Sequence, residues 1–300
     1  MNKRIIPVVI TPFTEQGDIS KDGLDQLYSY LKNYGIKTMF VGGSYASFAI
    51  MPSKMRVDLA FESTEIAKHY DLKSIFNIAS SSPEESISLI NHIENSGVEN
   101  LATLVPYYYS SSNFYKYEII SKYLSMMVSS TKLPLYFYNN PKTTGVDLSP
   151  AELNKLSETG IVGIKDSNEN MNKLLEITSY PIGKTDAKVK YIPGTTASML
   201  IAASLGLEYC MSGLFMSFPT LIGDLFCAAA EGNIRLALEK YKTCMKARDI
   251  MGHFAPRAVS AYYILRLRGV NVGEPKFPWP RLDKQQQKSL KDMLKEINAL

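Results

Sequence analysis

The amino-acid sequence predicts an α/β protein of the (β/α)8 TIM-barrel type with a C-terminal helical extension. Three observations lead there. Eight short β-rich runs alternate with amphipathic, helix-like segments along the 300 residues. The units repeat at roughly thirty residues each, the pace of a barrel's strand–helix unit. No glycine-rich GxGxxG turn follows any run, which removes the best support for a doubly wound sheet, although periodicity by itself does not show closure.

The β-rich runs are residues 5–10, 38–43, 74–79, 101–105, 134–139, 161–166, 189–194 and 208–213. Between them, helix starts carry their usual signals. Ser20 precedes a helical pattern over 21–33, and Ser53 precedes one over 54–70. The stretch Ser82-Pro83-Glu84-Glu85 opens a helix that ends near Gly97. After the eighth run come helical patterns over 233–254 and 256–268, a Gly/Pro-rich link over 269–280, and a polar helix from Asp283 to the end. The expected organisation is a barrel over 1–230 and a helical extension over 231–300 packed on it, a single domain overall.

Composition excludes several classes. Apolar residues make up 45% and charged residues 21%, with a net charge of +4. That is a globular chain without a basic arm for nucleic acid. No apolar run has the length of a membrane span. The opening MNKRIIPVVITPF is a poor signal peptide, because Pro12 and strand-like residues fill its apolar part. Cys210, Cys227 and Cys244 are too far apart for a CxxC site. They point to a reducing, cytoplasmic setting without a structural metal. His69, His92 and His253 all fall in segments read as helix, where a surface or satisfied histidine is the expectation.

The sixth run, Ile161-Val162-Gly163-Ile164-Lys165-Asp166, ends in a lysine. Barrel active sites lie at the carboxyl ends of the strands. Burial there disfavours the ammonium form, and a neutral amine attacks a ketone to give a Schiff base. The alternative is a snorkelling lysine paired with Asp166 or an outside carboxylate. The fifth run ends Tyr136-Phe137-Tyr138-Asn139-Asn140-Pro141. A tyrosine one strand away from the lysine can move protons, or it can be a core aromatic. The fourth runs into Pro106-Tyr107-Tyr108-Tyr109, which is rim packing or function in a chain with 19 tyrosines. The second ends Gly42-Gly43-Ser44-Tyr45-Ala46-Ser47. Glycines there let N–H groups face a small carboxylate, or they make an ordinary turn. At Pro193-Gly194-Thr195-Thr196 a glycine again lets backbone approach a ligand.

Taken in order, ITPFTEQGDIS, VGGS, VPYYY, YNNPKTTG, GIKDS, IPGTT, CMSG and GEPKFPWPRL resemble the dihydrodipicolinate synthase/N-acetylneuraminate lyase family over nearly the whole chain. Those are class I pyruvate lyases and aldolases on a (β/α)8 barrel. The most specific feature is the strand-six lysine, 27 residues (165 − 138) after the tyrosine of YN-x-P. The resemblance implies that Lys165 forms the imine with pyruvate or another 2-keto acid and that Tyr138 is the acid/base. It implies that Ser44 hydrogen-bonds Tyr138 and that Tyr108 is a relay tyrosine reaching a neighbouring subunit's site. It implies that Ser44 and Tyr45, beside Gly43, hold the pyruvate carboxylate. Gly194 and Met211 line the same pocket, and Thr143, Ser167 and Thr196 face the second substrate. A homotetramer, a dimer of dimers, follows from the same resemblance, and so does chemistry with no cofactor and no metal.

The departures bear on substrate. The family usually reads G-(S/T)-T-G-E after strand two, where this chain has Tyr45, Ala46 and Ser47 in place of T-G-E. The synthases carry an arginine where Thr143 stands, and the sialic acid lyases an acidic pair where Thr196 and Ala197 stand. VPYYY, GIKDS and PGTT also resemble archaeal 2-keto-3-deoxygluconate aldolases. The expected reaction makes or breaks a C–C bond between pyruvate and a hydroxylated or other neutral aldehyde, on a substrate of the 2-keto-3-deoxy sugar acid type. A dehydratase using the same lysine, sialic acid lyase or dihydrodipicolinate synthase activity, and a non-catalytic member stand as alternatives.

Overall fold

The computed structural model describes residues 4–109, 114–184 and 186–300. Each predicted β-rich run overlaps a strand. In chain order these are β1 (Ile5–Pro7), β2 (Thr38–Val41), β3 (Lys73–Asn77), β4 (Asn100–Thr103), β5 (Leu135–Asn139), β6 (Gly163–Asp166), β7 (Lys190–Pro193) and β8 (Cys210–Ser212). Strands β3 and β4 start one residue earlier than expected. Strands β2 to β7 form one continuous parallel sheet. The first and last strands pair with each other, Ile6 opposite Met211. Val8 bridges to Phe40 and so joins β1 to β2. Between β7 and β8, Thr196 Oγ1 and Ser212 Oγ share a hydrogen bond of 2.7 Å. A doubly wound sheet leaves its first and last strands unpaired with one another; this sheet closes on itself.

The helices are α1 (Lys21–Asn33), α2 (Ser53–His69), α3 (Pro83–Ile93), α4 (Tyr117–Ser129), α5 (Pro141–Thr144), α6 (Pro150–Lys155), α7 (Met171–Ile177), α8 (Thr196–Ser204), α9 (Pro219–Ala230), α10 (Ile234–Met251), α11 (Arg257–Leu267) and α12 (Lys284–Glu296). Their starts follow the local chemistry. The Ser20 hydroxyl accepts from the Gly23 N–H, and Ser82 from Glu85. Ser149 with Glu152 and Asp283 with Gln286 make reciprocal capping boxes.

Several predicted boundaries shift. Helix α2 starts at Ser53, with Pro52 at the cap, because the Ser53 hydroxyl is turned to Glu85 of α3 rather than to its own backbone. Helix α10 stops at Met251, so His253 lies in the turn beyond it, and only His69 and His92 stand in helices.

The C-terminal segment meets the barrel at several polar points. Buried Tyr262 of α11 donates to the Thr11 carbonyl at 2.7 Å, and Arg268 Nε donates to the Ser217 carbonyl at 2.6 Å. Gly273 bridges to Phe13 with φ +69°, and a Cβ there would lie 1.8 Å from the Phe13 oxygen, so no side chain fits. Removing the buried hydroxyl in Tyr262→Phe strips the Thr11 carbonyl of its donor. We expect a loss of about 1–3 kcal/mol, seen as a lower urea midpoint in one cooperative transition, with the far-ultraviolet spectrum unchanged.

Candidate active site

Strand β6 alternates. Ile164 and Asp166 face one way and Lys165 the other, into the barrel. Gly163 is obligatory below it, since a Cβ would lie 2.4 Å from a ring carbon of Tyr136. Lys165 is 1% exposed. Its Nζ lies 3.3 Å from the centre of the Tyr138 ring and 4.1 Å from that of Phe40. Asp166 is not its partner. That carboxylate accepts from Asn139 Nδ2 at 2.9 Å, from the Tyr191 hydroxyl at 2.7 Å and from the Asn168 N–H at 3.0 Å, with Lys173 Nζ at 3.7 Å. Burial holds the Lys165 amine below its ordinary range, and Tyr138 opposes that only in part.

Pairing places Tyr138 of β5 directly opposite Lys165 of β6. Burial on its own would raise the phenol. The Lys165 charge and hydrogen bonds with Ser44, Lys165 and Ser167 outweigh it and hold Tyr138 below its usual value. The two groups are linked, because the phenol is lowered by the lysine's charge only while Lys165 carries its proton. Asn140 Nδ2 adds a bond to the Tyr138 oxygen at 3.2 Å and another to Thr143 Oγ1 at 2.8 Å.

The loop after β2 turns at Gly42, with φ +68°. Gly43 follows because a Cβ would lie 2.6 Å from the Phe40 ring. Residues Ser44–Ala46 then form a single tight turn that brings exposed Ser44 to Tyr138. Tyr45 lays its half-buried ring on Gly213, where a Cβ would sit 2.8 Å from it. Its phenol is pushed up to about 12 by burial, against the pull of Arg257 and Arg248. Gly194 donates its N–H to the Asp166 carbonyl at 2.6 Å, and a Cβ there would lie 2.6 Å from Ser167 Oγ. Met211 is fully buried on β8.

The structure thus gathers Lys165, Tyr138, Ser44 and Ser167, with Thr143 one hydrogen bond removed. Tyr108 stands apart at the rim, 77% exposed, its ring set edge-on to Tyr109 at 5.2 Å. A small cleft of about 110 Å³ opens above the strand ends, bordered by Tyr45, Glu169, Gly194, Thr196, Arg248 and Arg257. Sequence reasoning missed Phe40, Asn140 and both arginines. Asn140 lay in plain view within YNNP. Phe40 reads as any core residue, and Arg248 and Arg257 sit in the helical tail with nothing local to mark them.

A family model described as the dihydrodipicolinate synthetase family matches residues 1–297. The chain is 25% identical to a 4-hydroxy-tetrahydrodipicolinate synthase of Archaeoglobus fulgidus, covering 100% of both chains. It is 24% identical to a 2-dehydro-3-deoxy-phosphogluconate/2-dehydro-3-deoxy-6-phosphogalactonate aldolase of Sulfurisphaera tokodaii, covering 95% of this chain and 94% of that one. Among solved structures, YagE of E. coli K12, a prophage protein of the dihydrodipicolinic acid synthase family crystallised with pyruvate, superposes with a TM-score of 0.89. It has 22% identity and 99% coverage of both chains, a likeness of fold.

A buried amine has a measurable signature. With the folded amine lowered, the unfolded chain binds more protons between that lowered value and the ordinary 10.5. Wild-type stability carries the full penalty below the folded value and regains it as pH rises toward 10.5. Lys165→Met, which keeps the volume without the charge, is expected to melt higher than wild type at neutral pH. That gap should narrow in alkaline buffer; calorimetry across pH reads both.

Proposed function

Because this chain belongs to the dihydrodipicolinate synthetase family, we propose that it is a class I aldolase or lyase that makes or breaks a C–C bond between pyruvate and an aldehyde. The observation that carries the reading is the buried Lys165 amine lying against the Tyr138 ring. A desolvated lysine has a larger neutral fraction, and the neutral amine attacks the C2 ketone. Tyr138 protonates the carbinolamine hydroxyl, which leaves as water, and the protonated imine remains on Lys165. Loss of a proton from C3 gives the enamine, and its C3 adds to the aldehyde carbon. Cleavage runs the same steps backward, and water then releases pyruvate. The lysine supplies the electron sink.

In this reading Ser44 passes protons to and from Tyr138, and the backbone at Gly43, Ser44 and Tyr45 receives the pyruvate carboxylate. Gly194 and Met211 shape that end, while Ser167, Thr143 and Thr196 meet hydroxyls of the second substrate. The exposed ring of Tyr108 fits a residue that completes a neighbouring subunit's site, which supports an oligomer of at least two chains and a homotetramer by family likeness. The unpaired cysteines fit the cytoplasm. Among the described residues, no helix is long and apolar enough to cross a membrane.

The arginines revise the expected aldehyde. Hydroxyl side chains suit a neutral partner, but Arg248 and Arg257 border the same cleft as Tyr45 and Thr196. Glu169 pairs with Arg248 at 3.4 Å and offsets one of the two charges; the positive charge left over, with Arg257, suits an aldehyde with an anionic far end. That agrees with the phosphorylated sugar acids in the name of the S. tokodaii relative. Thr143, in place of the synthases' arginine, weighs against dihydrodipicolinate synthesis.

Borohydride with pyruvate is expected to leave one reduced pyruvate adduct on wild type by intact mass and none on Lys165→Ala. An equal adduct on both would end the reading. A pyruvate-release assay across 2-keto-3-deoxy sugar acids, with and without a terminal phosphate, tests the substrate. Arg248→Leu and Arg257→Leu should raise KM for the phosphorylated acids by roughly ten- to a hundredfold and leave the unphosphorylated ones nearly unchanged. Loss of water without pyruvate would instead identify a dehydratase.

A further inference from the structure

Ser47 lies where the family pattern places a glutamate, and its backbone is unusual. It is 6% exposed and sits at φ +64° and ψ +30°, a left-handed conformation that side chains other than glycine rarely adopt. It is the joint between two single-turn pieces, Ser44–Ala46 and Phe48–Ile50. The Ser47 N–H returns to the Ser44 carbonyl at 3.3 Å, and its own carbonyl accepts from Ile50 at 3.1 Å. A change in its backbone angles would move the turn that carries Ser44 relative to Tyr138.

The joint is held from both sides. Downstream, Phe48 meets the Tyr107 ring edge-on at 5.6 Å and lies under the Arg56 guanidinium at 5.3 Å. Arg56 is buried and donates to the Asn77 and Ala79 carbonyls, both at 2.8 Å. From the other side, the Ser47 hydroxyl accepts from Trp279 Nε1 at 2.9 Å. Trp279 belongs to the Gly/Pro-rich link before α12. That link is tied to the loop after β1 by the Phe13–Gly273 bridge and by Lys276 Nζ, which donates to the Gly17 carbonyl at 2.8 Å. The link therefore runs from the β1 loop to the β2 loop.

We propose that Trp279 is a positioning residue for the Lys165 chemistry: through Ser47 its indole N–H sets the Ser44–Ala46 turn against Tyr138, so that docking of the C-terminal link and assembly of the proton relay are one event. The proposal rests on the aldolase reading above and adds a residue with no contact to substrate. It has a direct consequence for acid–base behaviour. Ser44 is one of the groups holding the Tyr138 phenol down, so a turn released at Ser47 lets that phenol titrate at higher pH.

Two substitutions remove the bond from its two ends. Trp279→Phe keeps an aromatic ring without the donor. Ser47→Gly removes the acceptor and suits the left-handed backbone, so any loss it shows is not strain. Borohydride trapping with pyruvate is timed across pH for wild type, both single variants and the double. All four are expected to fold with matching circular dichroism and to reach the full mass adduct on long incubation. Each single variant should trap about five- to tenfold more slowly, the effect of one hydrogen bond, with the tyrosine limb of the pH profile moved upward. The double variant should be no slower than the slower single. Trp279 is also the single tryptophan, so wild-type fluorescence should change on adding pyruvate, and that response should be lost in Ser47→Gly. Wild-type rates and pH profile in either single variant, or additive losses in the double, would overturn the positioning role while the adduct still upholds the aldolase. No adduct on wild type would remove the aldolase reading and this proposal together.

Discussion

The structure turns on a lysine that has been taken out of water and laid against a phenol. Nothing about an isolated lysine makes it a nucleophile at neutral pH. What holds this amine below its ordinary range is burial: β5–β6 pairing sets Tyr138 opposite Lys165, and Phe40 closes the space on another side. Aromatic faces lend the amine some attraction, but they do not replace the hydration that a free ammonium would have. Burying the amine costs stability, the exchange expected at an active site if Lys165 has the proposed Schiff-base role.

Keeping such a group in place requires a rigid strand, and the opposite face of β6 is built for that. Asp166 points away from the barrel interior and gathers donors from the strands on both sides, Asn139 on β5 and Tyr191 on β7. Lys173, itself buried, lies between Asp166 at 3.7 Å and Asp147 at 2.8 Å. A buried carboxylate without partners would be costly; here its bonds hold three adjacent strands in register. Adjacent residues of one strand thus do opposite work: Lys165 is left short of partners and Asp166 is supplied with them.

The loop after β2 shows how a departure from a family pattern can be absorbed. Tyr45 finds room because Gly213 has no side chain, and its phenol comes under the influence of Arg248 and Arg257. Ser47 is buried and takes its donor from the tail. The helical extension therefore contributes to the cleft in two ways, with charge at the mouth and with a hydrogen bond to the loop that carries Ser44.

Several parts of this molecule were legible in the sequence. Runs of apolar residues at the barrel's spacing marked all eight strands, because a parallel strand covered on both faces has to be apolar almost throughout. Helix starts at Ser20 and Ser82 were legible because a cap is a local hydrogen bond between residues three apart. The position of Lys165 at a strand end, beside the strand of Tyr138, followed from strand order. Tertiary structure decided what local pattern cannot encode. It turned Asp166 away from Lys165, brought Phe40 from β2 to the amine, placed Arg248 and Arg257 at the mouth, and joined Trp279 to Ser47 across more than two hundred residues. Each of these depends on a meeting between distant segments, and a sequence read along its length carries no distance between them.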